Sequence, residues 1–294
     1  MNLEQKTRAL WDEIEKRPAP KYLNGLVEYS WPEFSGRIRG GDFAFISDVI
    51  EKLYSGSVII LRSALDKSEI EYVKNFALEY GRQNEPGFHK VLEGSPDFHR
   101  ISTSDVAKNS GYSFYRAQHL YYFYRWNARD ARLFQIADKT WEVYKILCGW
   151  PKDLFKNATP KDGLVDRLHV HHYPSGTGEQ ESHQDPYRAQ KMIMGQLLSE
   201  KGPDGEYHSG GIYYVSEDGT LVDVDSELKA GDSYISFPLL VHGVARIDPE
   251  IPTDWSSARG RWFMGFYTLY SDHVENRHTG WSFPLEAEHA KLES

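Results

Sequence analysis

The chain has 294 residues, 40% hydrophobic and 14% aromatic, enough to bury a sizeable core and to exclude global disorder. Thirty-four basic against 43 acidic residues give a net charge of −9, which argues against nonspecific binding to nucleic acid or to anionic membranes. No stretch approaches the roughly 18 uninterrupted apolar residues of a membrane helix, the first residues are too charged for a signal peptide, and a single cysteine excludes a disulfide framework or a cysteine-rich zinc site. These features predict a soluble, cytoplasmic protein.

Residues 3–16 read as an amphipathic helix, with Leu3, Leu10, Trp11 and Ile14 on one side and Pro18 and Pro20 at its end. The proline- and glycine-bearing stretch 17–42 reads as an extended arm. The β-branched run Ser57–Leu61 predicts a buried strand. Asp66 and Glu69 form a capping box for a helix whose stripe is Ile70, Val73, Ala77 and Tyr80. Residues 81–111 are polar and turn-rich and predict a long loop, long enough to act as a lid. The aromatic cluster from Tyr112 to Trp126 predicts core packing. Residues 128–149 predict a helix that ends at Gly149, before Pro151, and Cys148 within it reads as a buried core thiol. After residue 163 strand-like runs alternate with glycine turns (LVDRLHVHHY, KMIMGQLLSE, GGIYYVSE, GTLVDVD, DSYISFPLLVHGVARI, RWFMGFYTLY), the pattern of a β-sandwich or barrel. The division is 1–56, helix and arm; 57–163, a strand-helix-loop-helix support that shapes the pocket; 164–270, the β core; and 271–294, a polar tail. All four belong to one structural domain.

Several of the twelve histidines lie in the strand-rich half. In His183-Gln184-Asp185 the imidazole and carboxylate stand two apart, on one face of an extended segment, and His242 from a later strand would complete a set of three ligands. Two histidines and a carboxylate with open positions suit non-haem Fe(II). The triplet itself carries no information: twelve histidines and 43 acids in this length give about two His-x-acid matches by chance, and His273-Val274-Glu275 is the second. His169, His171 and His172 cannot all share one face, because neighbours on a strand point opposite ways, so they read as pocket lining or packing. The acidic run Asp218 to Asp225 reads as a solvated hairpin.

Context favours His183. A glycine turn (Gly176-Thr177-Gly178) precedes it; Gly210-Gly211-Ile212-Tyr213-Tyr214, Ala230-Gly231-Asp232, His242-Gly243-Val244 and Arg261-Trp262-Phe263-Met264-Gly265-Phe266 follow in order. This succession, over residues 164–270, resembles the core of the Fe(II)/2-oxoglutarate-dependent dioxygenases, nearest in texture to the prolyl-hydroxylase-like and phytanoyl-CoA-hydroxylase-like branches. The resemblance implies a mainly β, α+β protein: a double-stranded β-helix (jelly-roll, cupin-like) core with N-terminal helical elements. It implies His183, Asp185 and His242 as the catalytic metal ligands and Arg261, with Tyr173, as the site of 2-oxoglutarate. With Fe(II) and O2, such an enzyme oxidises an unactivated C–H of a small molecule, amino acid or peptide and releases succinate and CO2. A carboxylate at Asp185, where the family's halogenases carry a small residue, points to hydroxylation or a related oxidation.

The sequence departs from the family in two places. Eighteen residues separate His242 from Arg261, more than is usual, which leaves Arg259 and Arg246 as alternatives, and Phe263 stands where a small hydroxyl residue is common. Arg100, Arg116, His119 and Tyr121 are candidate substrate contacts. The acidic balance argues against a nucleic-acid substrate, and no membrane partner is expected. The competing reading is a cupin-like metal- or ligand-binding β-barrel that does not use 2-oxoglutarate and gives Arg261 no role.

Overall fold

Local chemistry sets the N-terminal elements in the computed structural model, which describes residues 1–103, 115–128, 130–187, 190–275, 280–283 and 285. Helix α1 (Leu3–Ile14) opens with a capping box between Asn2 and Gln5 and buries Trp11 and Ile14. The stretch 17–42 is not an extended arm. It holds strand β1 (Gly25–Ser30) and helix α2 (Trp31–Arg39), because Ser30 caps the helix and Pro32 falls in its first turn, where a missing N–H costs nothing. Helix α3 (Phe43–Tyr54), capped by Asp42, buries Phe45, Ile46, Val49, Ile50 and Leu53.

Strand β2 (Ser57–Arg62) is buried up to its last residue. Helix α4 (Lys67–Gln83) starts with the anticipated box: Glu69 N donates to Asp66 Oδ1 at 2.9 Å and Asp66 N to Glu69 Oε2 at 3.2 Å. The 81–111 segment is not all loop. Strand β3 (Phe98–Ser102) interrupts it, too short to stand out from its polar flanks, and pairs with β4 (Arg116–Tyr124). Residues 104–111 of that segment, and Tyr112 to Phe114 of the aromatic cluster, lie outside the described residues. Helix α5 (Ala131–Leu147) ends at Cys148, and Gly149 follows at φ +73°. The Cys148 thiol is buried, and burial pushes its pKa up to about 12.

The remaining strands are β5 (Leu164–Pro174), β6 (Glu179–Gln184), β7 (Ile193–Leu197), β8 (Gly211–Val215), β9 (Leu221–Asp223), β10 (Ser233–Ser236), β11 (His242–Ala245), β12 (Gly260–Tyr270) and β13 (Trp281–Ser282). They form one curled mixed sheet in the order β1-β2-β10-β7-β12-β5-β4-β6-β11-β8-β9, with β3 beside β4 and β13 beside β6. Strand β4 makes the turn of the curl: Tyr124 to His119 pair with β5, whereas Arg116 and Ala117 pair with β6. The result is a jelly roll, the double-stranded β-helix. Strands from before residue 164 are built into it, since β2 pairs with β10 and β4 with β5.

Directly opposed residues of an antiparallel pair share a face. On β12 and β5, Arg261 with Tyr173, Phe263 with His171 and Gly265 with His169 therefore turn one way, and Trp262 with His172, Met264 with Val170 and Phe266 with Leu168 turn the other. The second face meets the helices: Trp141 of α5 packs edge-on against Phe266 at 5.9 Å. The first faces the β6-β11-β8 layer. No helix among the described residues is long and apolar enough to cross a membrane.

Candidate active site

Strands β6 and β11 pair so that His183 lies opposite His242. Asp185 follows β6 at once, fixed by its backbone N–H, which donates to the Pro238 carbonyl at 2.9 Å. The carboxylate lies 3.4 Å from His242 Nε2 and 3.8 Å from His183 Nε2, and the three candidate ligand atoms all fall within 4.8 Å of one another. Each imidazole is oriented by its own strand: Nδ1 of His183 is 2.8 Å from the Glu181 carbonyl, and Nδ1 of His242 is 2.8 Å from that of Leu240. A carbonyl only accepts, so each Nδ1 carries a proton and each Nε2 is the ring atom turned to the centre. Burial, then the neighbouring His242, pushes the His183 pKa down to about 3, so its ring is neutral. Burial alone would raise Asp185; His242, His183 and His171 outweigh it and hold the carboxyl below its ordinary value. Two imidazole nitrogens and one carboxylate oxygen fit a divalent transition metal held on one face.

Arg261 comes to this interior from β12, 1% exposed. Its fork is met by Asp225, Nε to Oδ2 at 2.5 Å and Nη2 to Oδ1 at 3.0 Å. Oδ2 also accepts from Tyr207 Oη at 2.8 Å and Ile212 N at 3.1 Å. Asp225 is fully buried, so the acidic run is not wholly a solvated hairpin; its last member turns inward because a guanidinium there requires a counter-charge. Gly211 makes the room: at φ +113°, a Cβ there would lie 2.3 Å from Asp225 Oδ2. The other two arginines are surface groups, Arg246 paired with Glu179 and Arg259 with His208 Nε2 at 2.7 Å. Phe263 fills space that Gly195 leaves, where a Cβ would fall 2.0 Å from its ring.

Tyr173 and Arg261 are opposed residues, with the guanidinium carbon 5.5 Å from the Tyr173 ring centre. Tyr173 Oη donates to Gln180 Oε1 at 2.8 Å, which turns the Gln180 amide nitrogen to His183 Nε2 at 3.0 Å. A second chain reaches the same glutamine. Arg167 Nε donates to His169 Nε2 at 2.6 Å, His169 Nδ1 lies 3.4 Å from His171 Nε2, and His171 Nδ1 lies 3.1 Å from Gln118 Oε1. Gln118 Nε2 then approaches Gln180 Oε1 at 3.4 Å. These directions make both histidines neutral Nδ1–H tautomers, and burial pushes the His171 pKa down to about 3.

The four candidate substrate residues divide between the faces. Arg116 opposes Gln180, and Arg100 opposes Leu120, itself opposite His171, so both lie on the triad's side. His119 and Tyr121 face the helical side, where His119 stacks on His172 at 5.5 Å and Tyr121 on Trp262 at 6.3 Å. The structure does not bring those two to the triad, because they stand at the odd positions of a regular strand. Asp225, Gln180, Gln118 and Arg167 escaped the sequence reading. The signal for Asp225 was the buried arginine's need for an acid; the glutamines gave none.

No protein-family model and no curated protein sequence matches the chain. Among solved structures, Neurospora crassa T7H in complex with alpha-KG and 5-formyluracil aligns over 90% of this chain and 89% of its own, at TM-score 0.50 and 12% identity. A Pseudomonas putida prolyl-4-hydroxylase aligns over 76% and 97%, at 0.45 and 14%. The epimerase SnoN, in complex with Fe3+, alpha ketoglutarate and nogalamycin RO, aligns over 83% and 97%, at 0.42 and 12%. The first of these carries the likeness of fold: the chain shares the jelly-roll fold of that structure.

Proposed function

We propose that the chain is a non-haem Fe(II)- and 2-oxoglutarate-dependent oxygenase that oxidises a C–H of a small molecule, amino acid or peptide. One observation carries this reading: inside a jelly roll of oxygenase type, His183, Asp185 and His242 converge with both Nε2 atoms turned inward. Fe(II) with 2-oxoglutarate and O2 supplies the oxidising chemistry when bound.

The protein's part is to hold and exclude. His183 and His242 supply Nε2 donors whose Nδ1 protons are fixed on their own backbone, and Asp185 supplies a carboxylate oxygen. Arg261 receives the distal carboxylate of 2-oxoglutarate. Asp225 occupies the Nε/Nη2 edge of the fork and leaves the Nη1/Nη2 edge as the second bidentate face. Tyr173 walls the path from that fork to the triad and, through Gln180, points an amide N–H at the centre. Phe263, Tyr214 and Tyr234 keep water from it, Tyr214 stacked on His242 at 5.2 Å and Tyr234 on Phe263 at 5.7 Å.

The test is conversion of 2-oxoglutarate to succinate by the Fe(II)-loaded protein under air. Wild type should show turnover dependent on added Fe(II), and Asp185→Ala none above background. Equal turnover by the two proteins, or none by wild type with iron bound, would leave the cupin-like reading.

A further inference from the structure

The residues interleaved with the metal ligands of β6 have partners of their own. His183 and Asp185 turn to the centre, so by strand alternation Ser182 and Gln184 turn away from it. Both are buried all the same, Ser182 completely and Gln184 at 6% exposure. What covers them is the tail strand β13, in which Ser282 opposes His183 and Trp281 opposes Gln184. Ser182 Oγ donates to the Phe283 carbonyl at 2.6 Å, and the Ser182 carbonyl accepts from Phe283 N at 2.9 Å. Gln184 Oε1 accepts from Trp281 Nε1 at 2.7 Å. Strand β4 pairs with this edge of β6 only at Glu179 and Gln180, so among the described residues β13 alone pairs with its His183 end.

The other end of the Gln184 amide reaches the turn between β10 and β11, where Nε2 donates to the Leu239 carbonyl at 2.5 Å. The residues on either side of Leu239 set the other two ligands. The Pro238 carbonyl accepts the Asp185 N–H at 2.9 Å, and the Leu240 carbonyl lies 2.8 Å from His242 Nδ1. A primary amide carries an acceptor at one end and donors at the other, and Gln184 uses both. It ties β13 to the turn that orients Asp185 and His242.

The tail has an anchor independent of that bridge. Tyr214 stacks on His242, so its neighbours Tyr213 and Val215 face outward. With Val241 they form an apolar patch, and Phe283, Leu285 and Tyr22 pack on it. Groups that orient metal ligands in this way typically change metal affinity by ten-fold or more when removed, on the order of the loss expected here. Two equilibria that favour one arrangement must also favour each other by the same factor.

We propose that Gln184 is a positioning residue of the metal centre and that β13 is the latch through which it acts. Docking of the tail fixes His183, Asp185 and His242 in their convergent arrangement, and a metal ion on them holds the tail in turn. This rests on the metal-centred reading above and adds a coupling between the tail and the centre.

The test uses the full chain and Zn(II) alone. Uptake of Zn(II) by wild type is measured first by calorimetric titration; failure there would overturn the metal assignment together with the latch. Hydrogen exchange of the peptide from Trp281 to Leu285 is then followed by mass spectrometry, with and without saturating Zn(II). The ion should slow it roughly ten-fold. Phe283→Asp with Leu285→Asp removes the apolar anchors and leaves every ligand in place, and should weaken Zn(II) binding by about the same factor. In Gln184→Ala the slowing by Zn(II) should shrink. Trp281→Phe, which keeps a ring at an exposed position and removes only the N–H, repeats that test where Gln184→Ala folds poorly. Tail exchange indifferent to Zn(II), Zn(II) binding undiminished in the anchor variant, or a slowing unchanged in both Gln184→Ala and Trp281→Phe would each overturn the proposal while leaving the metal assignment standing.

Discussion

The amide nitrogen of Gln180 lies 3.0 Å from Nε2 of His183, so a side-chain N–H meets one of the lone pairs that the triad turns inward. A metal on His183 must displace that donor, and one such hydrogen bond is worth about 1 kcal/mol. Gln180→Ala should therefore bind Zn(II) alone up to about five-fold more tightly than wild type in calorimetric titration. Weaker binding would mean that the amide supports the bound ion rather than competing with it.

Asp225 and Arg261 stand or fall together. Both are at most 1% exposed, and three groups besides the fork's second nitrogen converge on one carboxylate. Asp225→Ala leaves a buried guanidinium without its counter-charge and should cost about 3–5 kcal/mol of stability in urea unfolding. Asp225→Ala combined with Arg261→Met should recover much of that loss. A single variant as stable as wild type would show that water reaches the fork.

Lys145 and Asp166 form a second buried pair, away from the site, at 2.6 Å. Burial is the largest influence on both, pushing the lysine pKa down and the aspartate pKa up. The pair's worth is thus offset by desolvation. Lys145→Met alone should destabilise by about 3–5 kcal/mol, and Lys145→Met with Asp166→Leu by far less. Equal losses in the single and double variants would refute this.

Acid should weaken the fold from an unusually high pH. His119 is pushed down to about 4, and His171, His172 and His183 to about 3, each mainly by burial. Folded values below the unfolded value of about 6.5 mean that the unfolded chain binds more protons as pH falls. The stability these groups contribute is complete above about pH 6.5 and declines below it, by about 1.4 kcal/mol per pH unit for each histidine. Urea midpoints should fall between pH 6.5 and 5, above the range where ordinary carboxylates titrate, and His172→Phe should flatten the fall. A midpoint constant over that interval would contradict the burial of these rings as neutral groups.

How much the sequence revealed depended on whether a feature was local. The capping box at Asp66, the helix closed by Gly149 and the alternating runs after residue 163 were legible because neighbours in sequence decide them. Pro32 misled, since the same residue that breaks a helix interior opens a first turn, and β3 hid because five residues of an edge strand leave little pattern. The ordered succession around His183 and His242 was legible as a motif. The face each β4 residue takes was not, because strand register is a tertiary fact: it sends His119 and Tyr121 to the helices and Arg116 to the triad. Asp225 was hidden for the same reason, its partner lying 36 positions away.

The central claim is most directly tested by anaerobic titration of 2-oxoglutarate into the Fe(II)-loaded protein, following the visible charge-transfer band of the chelate. A saturable band in wild type, shifted at least about ten-fold to higher cosubstrate concentration in Arg261→Gln with iron still bound, is the predicted result. No band in wild type with Fe(II) demonstrably bound would contradict it.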